Sequence, residues 1–165
     1  MDVTAITQAS QEDAILTQIR YKGVKLYGTS LNLPIDRDIE RDFETIEDIL
    51  QLTRGEGLIL AIDSNARSRL WSYRRTNTRG RALEEFIISR DLIIINEATD
   101  IPTFGTNRGF SWIDLTLCNK TLAQKIRGCS CGEEGSCADH KIILFEIEYR
   151  EGGGYVTNIQ GNVTT

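Results

Sequence analysis

The sequence predicts an α/β protein in which β-sheets pack face to face and helices lie outside them. Strand-like runs outnumber helical patterns, and two helical patterns are inserted among the strands. The run from Gly57 to Ile62 is continuously apolar, which is typical of a strand buried on both faces. It stops at Asp63-Ser64-Asn65, so polar side chains emerge together from the end of a core strand.

The first third of the chain is predicted to form three strands and then a helix. Tyr21-Lys22-Gly23 supplies a tight turn between the second and third strands, and Pro34 breaks the chain after the third. Apolar residues then recur at helical spacing, with acids on the opposite face, which predicts an amphipathic helix ending before Gly55. The predicted strands are Val3–Ala9, Ala14–Tyr21 and Val24–Asn32, and the helix is Asp38–Thr53.

The rest of the chain is predicted to contain a second helix and further strands. The helix is Gly80–Arg90 and a helical turn is expected at Thr121–Lys125; the strands are Leu92–Ile95, Pro102–Phe104, Arg108–Leu117 and Lys141–Tyr149. We therefore predict one domain over residues 1–150. Residues 151–165 are rich in glycine and polar residues, which predicts a flexible tail.

Composition and charge limit the functional classes. The chain has 165 residues, of which 40% are hydrophobic and 26% charged, enough for one domain with a core. No apolar run approaches membrane-spanning length and no signal peptide is visible, so we expect an intracellular chain that is not secreted and has no membrane partner. The net charge of −5 argues weakly against nucleic-acid binding, but it conceals one basic segment without acids. That segment contains Arg67, Arg69, Arg74, Arg75, Arg79 and Arg81.

Three of the four cysteines lie close together near the end of the chain. Cys129, Cys131 and Cys137 precede His140, and thiolate and imidazole are zinc ligands. The C-x-C-x5-C-x2-H spacing lacks the paired C-x2-C arrangement of structural zinc sites. The spacing favours reduced thiols in a surface loop, with a zinc site as the alternative.

Polar residues at the strand ends suggest a catalytic centre. Taken alone, Asp63 and Asn65 fit a turn better than a site. Asp114 interrupts an apolar strand, where a buried carboxylate needs a partner, and the single histidine, His140, follows Asp139 directly before another core strand. An Asp–His pair would satisfy Asp114 and orient the imidazole. Carboxylates, an amide and a histidine together suit attack of water on a phosphodiester assisted by Mg²⁺ or Mn²⁺.

These residues fall within motifs that resemble the endonuclease/exonuclease/phosphatase superfamily. More narrowly, they resemble the apurinic-type endonuclease domain of insect R1-like non-LTR retrotransposons. The similarity runs in order from about Val3 to Glu148. The motifs are Ala61-Ile-Asp-Ser-Asn-Ala-Arg67, Arg79-Gly80, Asn96-Glu97, Pro102-Thr-Phe104, Ser111-Trp-Ile-Asp-Leu-Thr116 and Ala138-Asp-His140.

The resemblance implies a four-layered α/β sandwich and a Mg²⁺-dependent (or Mn²⁺-dependent) endonuclease that nicks target DNA to prime reverse transcription. By position, Asp63 activates the water, Asn65 holds the scissile phosphate, and Asp114 orients His140, which stabilises the developing charge. Asp139 and Asp63 lie at the metal. The six arginines from Arg67 to Arg81 contact DNA, and Trp71 or Tyr73 either stacks on a base or packs in the protein. The resemblance also implies a nuclear location and a reverse transcriptase domain on the same polypeptide.

The sequence departs from the family pattern at several positions. The family begins with one strand carrying an asparagine and another carrying a metal-binding glutamate, and nothing in residues 1–21 matches them. We therefore expect a domain without its N-terminal strands. The family's Tyr-x-Pro-Asn segment reads Asn32-Leu-Pro-Ile35, and the residue before Asp139 is alanine in place of serine. Two alternatives follow: an inactive retroelement remnant, or a superfamily phosphoesterase acting on a phospholipid or inositol phosphate.

Overall fold

A computed structural model describes residues 2–6, 13–21, 23–71, 73–96, 101–132, 139–151 and 155–163. The strands are β1 (Asp2–Ala5), β2 (Ala14–Tyr21), β3 (Val24–Asn32), β4 (Gly57–Asp63), β5 (Ile93–Ile94), β6 (Phe104–Thr106), β7 (Gly109–Ser111), β8 (Asp114–Cys118), β9 (Ile126–Cys131), β10 (Ile143–Glu151) and β11 (Tyr155–Val163). The helices are α1 (Ile39–Leu52), α2 (Thr78–Ser89) and the single turn α3 (Lys120–Ala123). A 3₁₀ turn covers Arg69–Trp71.

The central sheet has six strands in the order β1-β2-β3-β4-β8-β5. Strands β3 and β4 are parallel and α1 connects them, as a crossover between parallel strands requires. Strand β8 is antiparallel to β4 on its other side. Every residue of β4 except Asp63 is buried, because β4 lies inside the sheet with both faces covered.

Three layers pack around two hydrophobic clusters. On one face of the central sheet, Leu60, Ile62 and Leu117 pack against α1 and α2, where Phe43 and Phe86 stack with ring centroids 4.2 Å apart. On the other face, Leu26, Ile59 and Cys118 pack against the sheet β11-β10-β9 through residues such as Ile143, Phe145 and Ile147. The described residues thus form three of the four layers expected, and the predicted α/β sandwich is confirmed. None of the described helices is long and apolar enough to span a bilayer.

The predicted strand Arg108–Leu117 is two strands. Strand β7 pairs with β6 in a separate hairpin, whereas β8 pairs with β4, so the chain changes partner at Trp112–Ile113. Asp114 is therefore the first residue of β8 rather than a mid-strand residue. Alternation of apolar and polar residues in the sequence does not reveal such a change of partner, because the alternation continues from one strand into the next.

The other predicted elements agree with the structure to within a few residues. Helix α2 begins two residues earlier than expected, because the side chain of Asn77 caps it by accepting from the backbone N–H of Gly80. Part of the predicted first strand lies outside the described residues. Strand β11 pairs with β10 along its length where a flexible tail was expected; a strand edge offers free backbone N–H and C=O groups whatever the side chains. The domain division at residue 150 stays a prediction.

Candidate active site

Three polar residues form a row across the end of the central sheet. Asp63 is the last residue of β4, and its register partners are Asp114 in the antiparallel β8 and Asn32 in the parallel β3. Register partners point to the same face of a sheet, so these three side chains lie side by side. The row faces the second sheet, because Ile59 and Cys118, on the same face of β4 and β8, pack there.

His140 lies against the carboxylates of this row. Its Nδ1 is 3.0 Å from Asp114 Oδ1 and 3.2 Å from Oδ2. A carboxylate only accepts, so Nδ1 carries the proton and donates it to Asp114. The ring's Nε2 then points toward Asp63, 3.9 Å from its Oδ2. Phe104 fixes the ring plane through a tilted contact with centroids 4.8 Å apart. The predicted Asp114–His140 pair is present in the structure.

Asp63 lies in an environment that disfavours its charge. Burial is the main cause that raises the pKa of Asp63, and the neighbouring carboxylate of Asp114 raises it further. His140, the backbone N–H of Asn65 and the guanidinium of Arg79 act in the opposite direction but do not cancel the rise. A partly desolvated acid beside a second acid is a site where a cation or a proton is held favourably.

Asn65 is held next to Asp63 by its backbone and its side chain. Its φ is +48°, in the left-handed region that asparagine tolerates better than most residues. Its backbone N–H donates to Asp63 Oδ1 at 3.4 Å, and its amide nitrogen donates to the carbonyl of Leu33 at 3.2 Å. The amide orientation follows from that carbonyl, which only accepts. The structure thus brings Asn65 to the same strand end as Asp63.

Two residues without an assigned role in the sequence analysis hold Asp114 in place. The side chain of Asn96 accepts from Thr116 N at 2.6 Å and donates to Asp114 O at 3.1 Å. It therefore bonds to the backbone of β8 as a neighbouring strand would. The hydroxyl of Thr103 accepts from Asp114 N at 3.1 Å, and the Thr103 carbonyl accepts from Lys141 N, directly after His140. Thr103 therefore ties the two members of the Asp–His pair together. Both belong to motifs that the resemblance had marked.

One group of side chains has the composition and spacing of a metal site. Donor atoms of Asp63, Asp114 and His140 all lie within 4.8 Å of one another. Two carboxylates supply the oxygen ligands that hard divalent cations take, so the residues present fit such an ion. Asp139 is not part of this group; it is exposed, and its backbone carbonyl accepts from Gly105 N. A metal-binding role for Asp139 stays a prediction.

The cysteines do not lie where the sequence suggested. Cys129 and Cys131 belong to β9 rather than to a surface loop, and Cys129 is part of the core between the two sheets. Burial raises the pKa of Cys131, and raises that of Cys118 to about 11, so these thiols are protonated at neutral pH in the metal-free chain. Cys137 lies outside the described residues.

Five of the six predicted DNA-binding arginines form an exposed surface, which we call the basic ridge. Its members are Arg67, Arg69, Arg74, Arg75 and Arg81. None of the five forms an ion pair with a carboxylate among the described parts of the chain. Arg67 lies over the ring of Tyr73, 4.9 Å from its centroid. Trp71 is buried and donates to Ala66 O at 3.3 Å, so it packs in the protein and is not free to stack on a base.

The loop that carries four of the five ridge arginines is held by polar contacts to α2 and its cap, most of them half-buried. The hydroxyls of Ser68 and Thr76 both donate to the carboxylate of Glu84 in α2. The side chain of Asn77 accepts from Arg67 N as well as capping α2. Because these contacts span the loop from end to end, the basic side chains project from a fixed backbone.

Arg79, the sixth arginine predicted to contact DNA, differs from the other five in its surroundings. Its side chain is only 12% exposed and it pairs with the buried Asp42 at 3.1 Å. Its remaining donors bond to backbone carbonyls inside the protein. Its guanidinium is therefore occupied by contacts within the protein.

Comparison with known proteins places the chain in a family. Residues 24–144 match the family described as endonuclease-reverse transcriptase, a match that begins at β3 and ends in β10. The chain belongs to this family. The matched range contains Asp63, Asn65, Asp114 and His140, so the whole cluster described above lies within it. The resemblance noted from the motifs is confirmed.

Relatives of the chain include retrotransposon proteins. It is 27% identical over 154 residues to the retrovirus-related Pol polyprotein from the type-1 retrotransposable element R1 of Bradysia coprophila, covering 88% of the chain and 15% of that polyprotein. The chain therefore spans a small part of that relative.

Solved structures give the same assignment. The endonuclease domain of TRAS1, a telomere-specific non-LTR retrotransposon, matches with a TM-score of 0.84 and 28% identity, covering 91% of the chain and 70% of that domain. The AP endonuclease LMAP of Leishmania major shares the fold, with a TM-score of 0.65 and 12% identity over 84% of the chain and 55% of its own.

Proposed function

We propose that the chain is the catalytic part of a metal-dependent DNA endonuclease that hydrolyses phosphodiester bonds. The observation that carries the proposal is the cluster of Asp63, Asp114 and His140, whose donor atoms lie within 4.8 Å at the end of the central sheet. Membership in the endonuclease-reverse transcriptase family and the structural likeness to a retrotransposon endonuclease domain support DNA as the substrate.

Each residue of the cluster has a role that follows from its position. Asp63, with its raised pKa, orients a water molecule and accepts its proton as the water attacks phosphorus. His140 presents Nε2 toward the same point, since Nδ1 is bonded to Asp114, and as the imidazolium it donates its Nε2–H to the phosphate oxygen on which charge grows. Asn65 bonds the scissile phosphate and holds it in line. Asp114 keeps the imidazole ring oriented and offsets its positive charge.

Mg²⁺ or Mn²⁺, held by the carboxylates of Asp63 and Asp114, would supply positive charge at the phosphate and lower the pKa of a bound water. We also propose that Asp139 contacts the metal region once DNA is bound, because it is exposed and directly precedes His140. These assignments rest on the residue types and their spacing.

The basic ridge is proposed to bind the sugar-phosphate backbone of DNA. Four of its arginines are exposed on a loop that continues from the strand end carrying Asp63 and Asn65, and Arg81 is exposed in the first turn of α2, so a duplex that enters the site passes beside the ridge. A reverse transcriptase on the same polypeptide and a nuclear location are proposed from the relationship to the R1 polyprotein. Imaging of the tagged protein in cells tests the location.

A plasmid-nicking assay tests the proposed activity. In Mg²⁺ the wild-type chain is expected to convert supercoiled plasmid to open circles, and His140→Ala to be slower by about 10²-fold or more, as for loss of a donor that stabilises charge in the transition state. EDTA is expected to abolish nicking by both. Lys120→Ala, at the opposite end of the central sheet and paired with Asp91, serves as the control and should nick like wild type.

Equal nicking by wild type and His140→Ala would show that the assigned centre is wrong. Absence of metal-dependent nicking in both would contradict autonomous catalysis and favour an inactive remnant. Release of phosphate from an inositol phosphate, lost in His140→Ala without any nicking of DNA, would instead establish the phosphoesterase alternative.

A further inference from the structure

Arg79 uses every part of its guanidinium to join three segments of the chain. Nε donates to the carbonyl of Ser64 at 3.1 Å, and Nη1 donates to the carbonyl of Arg37 at 3.1 Å. Nη2 donates to the carbonyl of Leu33 at 3.1 Å and to Asp42 Oδ2 at 3.1 Å. The segments are the loop after β3, the loop after β4, and the first turn of α1.

The carbonyl of Leu33 connects this arginine to the site. It accepts from Arg79 and also from the side-chain amide of Asn65, at 3.2 Å. The N–H of the same residue donates to the carbonyl of Asp63 at 2.9 Å. The peptide groups flanking Leu33 therefore contact Asp63, Asn65 and Arg79 at once. Arg79 holds both the acceptor of the Asn65 amide and, through Ser64 O, the residue that precedes Asn65.

Asp42 supplies the countercharge that keeps Arg79 in this position. Its side chain is 4% exposed, and it accepts from Arg37 Nε at 2.9 Å as well as from Arg79. A buried carboxylate is tolerated only when such partners satisfy it, and removal of one partner leaves a charge without compensation. Asp42 and Arg79 thus form a clamp between the first turns of α1 and α2, behind the strand end that carries the site.

We infer that Arg79 is a positioning residue that sets the orientation of Asn65, and that it makes no contact with DNA. The catalytic consequence rests on the proposed function, whereas the clamp itself does not. Lysine cannot replace the arginine here, because the acceptors lie around a planar fork that an ammonium group does not reproduce. An amide displaced by about 1 Å from the phosphate it holds lowers the rate by on the order of 10²-fold.

The first test needs no catalytic activity. The exchange of arginine Nε–H with solvent is measured by NMR on the wild-type chain, before and after addition of duplex DNA. The Nε–H of Arg79 is expected to exchange at least about tenfold more slowly than that of Arg74, because it is buried and bonded to Ser64 O. DNA should shift the signals of the basic ridge and leave that of Arg79 unchanged. Fast exchange at Arg79, or a shift equal to that of Arg74, overturns the inference.

This design separates the inference from the proposed function. A chain that binds no DNA but protects Arg79 supports the clamp and contradicts the nuclease proposal. A chain that binds DNA through Arg79 contradicts the clamp and supports the nuclease proposal. Asp42→Asn provides a further variant that retains an acceptor, and faster exchange at Arg79 in it is expected because the countercharge is lost.

The second test compares Arg79→Lys, Arg79→Gln and the exposed counterpart Arg74→Gln in the nicking assay. Both Arg79 variants are expected to lower kcat by about 10²-fold with KM within about threefold of wild type. Arg74→Gln should raise KM, leave kcat unchanged, and reduce the salt dependence of binding by about one counterion. Circular dichroism identifies any variant that fails to fold. If Arg79→Gln fails to fold, Arg79→Lys, which keeps the positive charge, is compared with Arg74→Gln instead.

A double-variant cycle completes the test. If Arg79 acts through Asn65, the pair Arg79→Lys and Asn65→Ala is expected to lose no more activity than Asn65→Ala alone. Additive losses in kcat, or a rise in KM without a fall in kcat for the Arg79 variants, would show that Arg79 acts independently of Asn65.

Discussion

At the scale of single residues, the surroundings of Asp63 suit its proposed role at the site but lower the free energy of unfolding of the chain. Burial and the adjacent Asp114 raise the pKa of Asp63 above its ordinary value of 3.8. The native state thus holds this proton more tightly than the unfolded chain. As the pH rises from 3.8 through the native pKa, the unfolded chain releases the proton first and the free energy of unfolding falls. At neutral pH Asp63 is therefore a destabilising charge in the absence of a cation.

Asp63→Asn is accordingly expected to be more stable than wild type at neutral pH in metal-free buffer, while losing nicking activity. The gain should shrink as the pH is lowered and vanish below 3.8, where the wild-type residue is protonated in both states. Urea unfolding at a series of pH values in EDTA measures it. A gain that does not change with pH would mean that the substitution acts through packing and not through charge. Asp38→Asn, on an exposed helix cap, is a control without a neighbouring carboxylate pair.

At the scale of elements, the approach of α2 to the loop of the basic ridge depends on one glycine. A Cβ built on Gly80 would lie 1.9 Å from the carbonyl oxygen of Arg67 and 2.7 Å from its carbon, both backbone atoms that no rotamer change can move. The close contact lets Asn77 cap the helix and bind Arg67 N together. The first turn of α2 and the ridge loop are therefore one unit.

Gly80→Ala is expected to destabilise the chain by about 1–3 kcal/mol, the usual effect of forcing extra atoms into a packed site. Helix propensity alone predicts the opposite sign, by about 1 kcal/mol, so the direction of the change identifies the cause. Thermal unfolding measures it. Glu85→Ala, on the exposed face of the same helix, should change stability by less than about 0.5 kcal/mol. A Gly80→Ala variant as stable as wild type would show that the loop moves away from the helix at little cost.

At the scale of the whole molecule, the strands and the site follow from the sequence to different extents. Apolar runs that stop on polar residues indicated Asp63, Asn65 and His140 at strand ends, because burial and the period of two act locally. The inward direction of Arg79 was missed, although its spacing of four residues from the buried Leu83 places both on the inner stripe of α2. Charge composition alone does not distinguish an arginine that binds carbonyls from one that binds phosphate.

The contacts of Thr103 and the partner change before β8 depend on which segments meet in space. Thr103 lies 11 residues from Asp114. Nothing in the sequence around Thr103 indicates that its hydroxyl accepts a hydrogen bond from the backbone N–H of Asp114. Strand β7 ends where its hairpin with β6 ends, and the chain then pairs with β4 instead. Such features come from tertiary pairing, and a single sequence read by local patterns does not contain them.

If the proposed metal site is correct, we expect the same tertiary arrangement to make the stability of the whole chain depend on divalent metal. A cation held by the carboxylates of Asp63 and Asp114 in the native state alone would stabilise it by RT ln(1 + [L]/Kd), about 2.7 kcal/mol at one hundred times Kd. For a chain of this size, each kcal/mol raises Tm by roughly 2–4 °C. Addition of Mg²⁺ should therefore raise the Tm of wild type by several degrees, and the rise should be lost in Asp63→Asn because a carboxylate ligand is gone. Arg74→Gln leaves the carboxylates intact and should keep the full rise. An equal rise in wild type and Asp63→Asn would mean that the ions bind elsewhere, since only a site that includes Asp63 makes the effect depend on that residue.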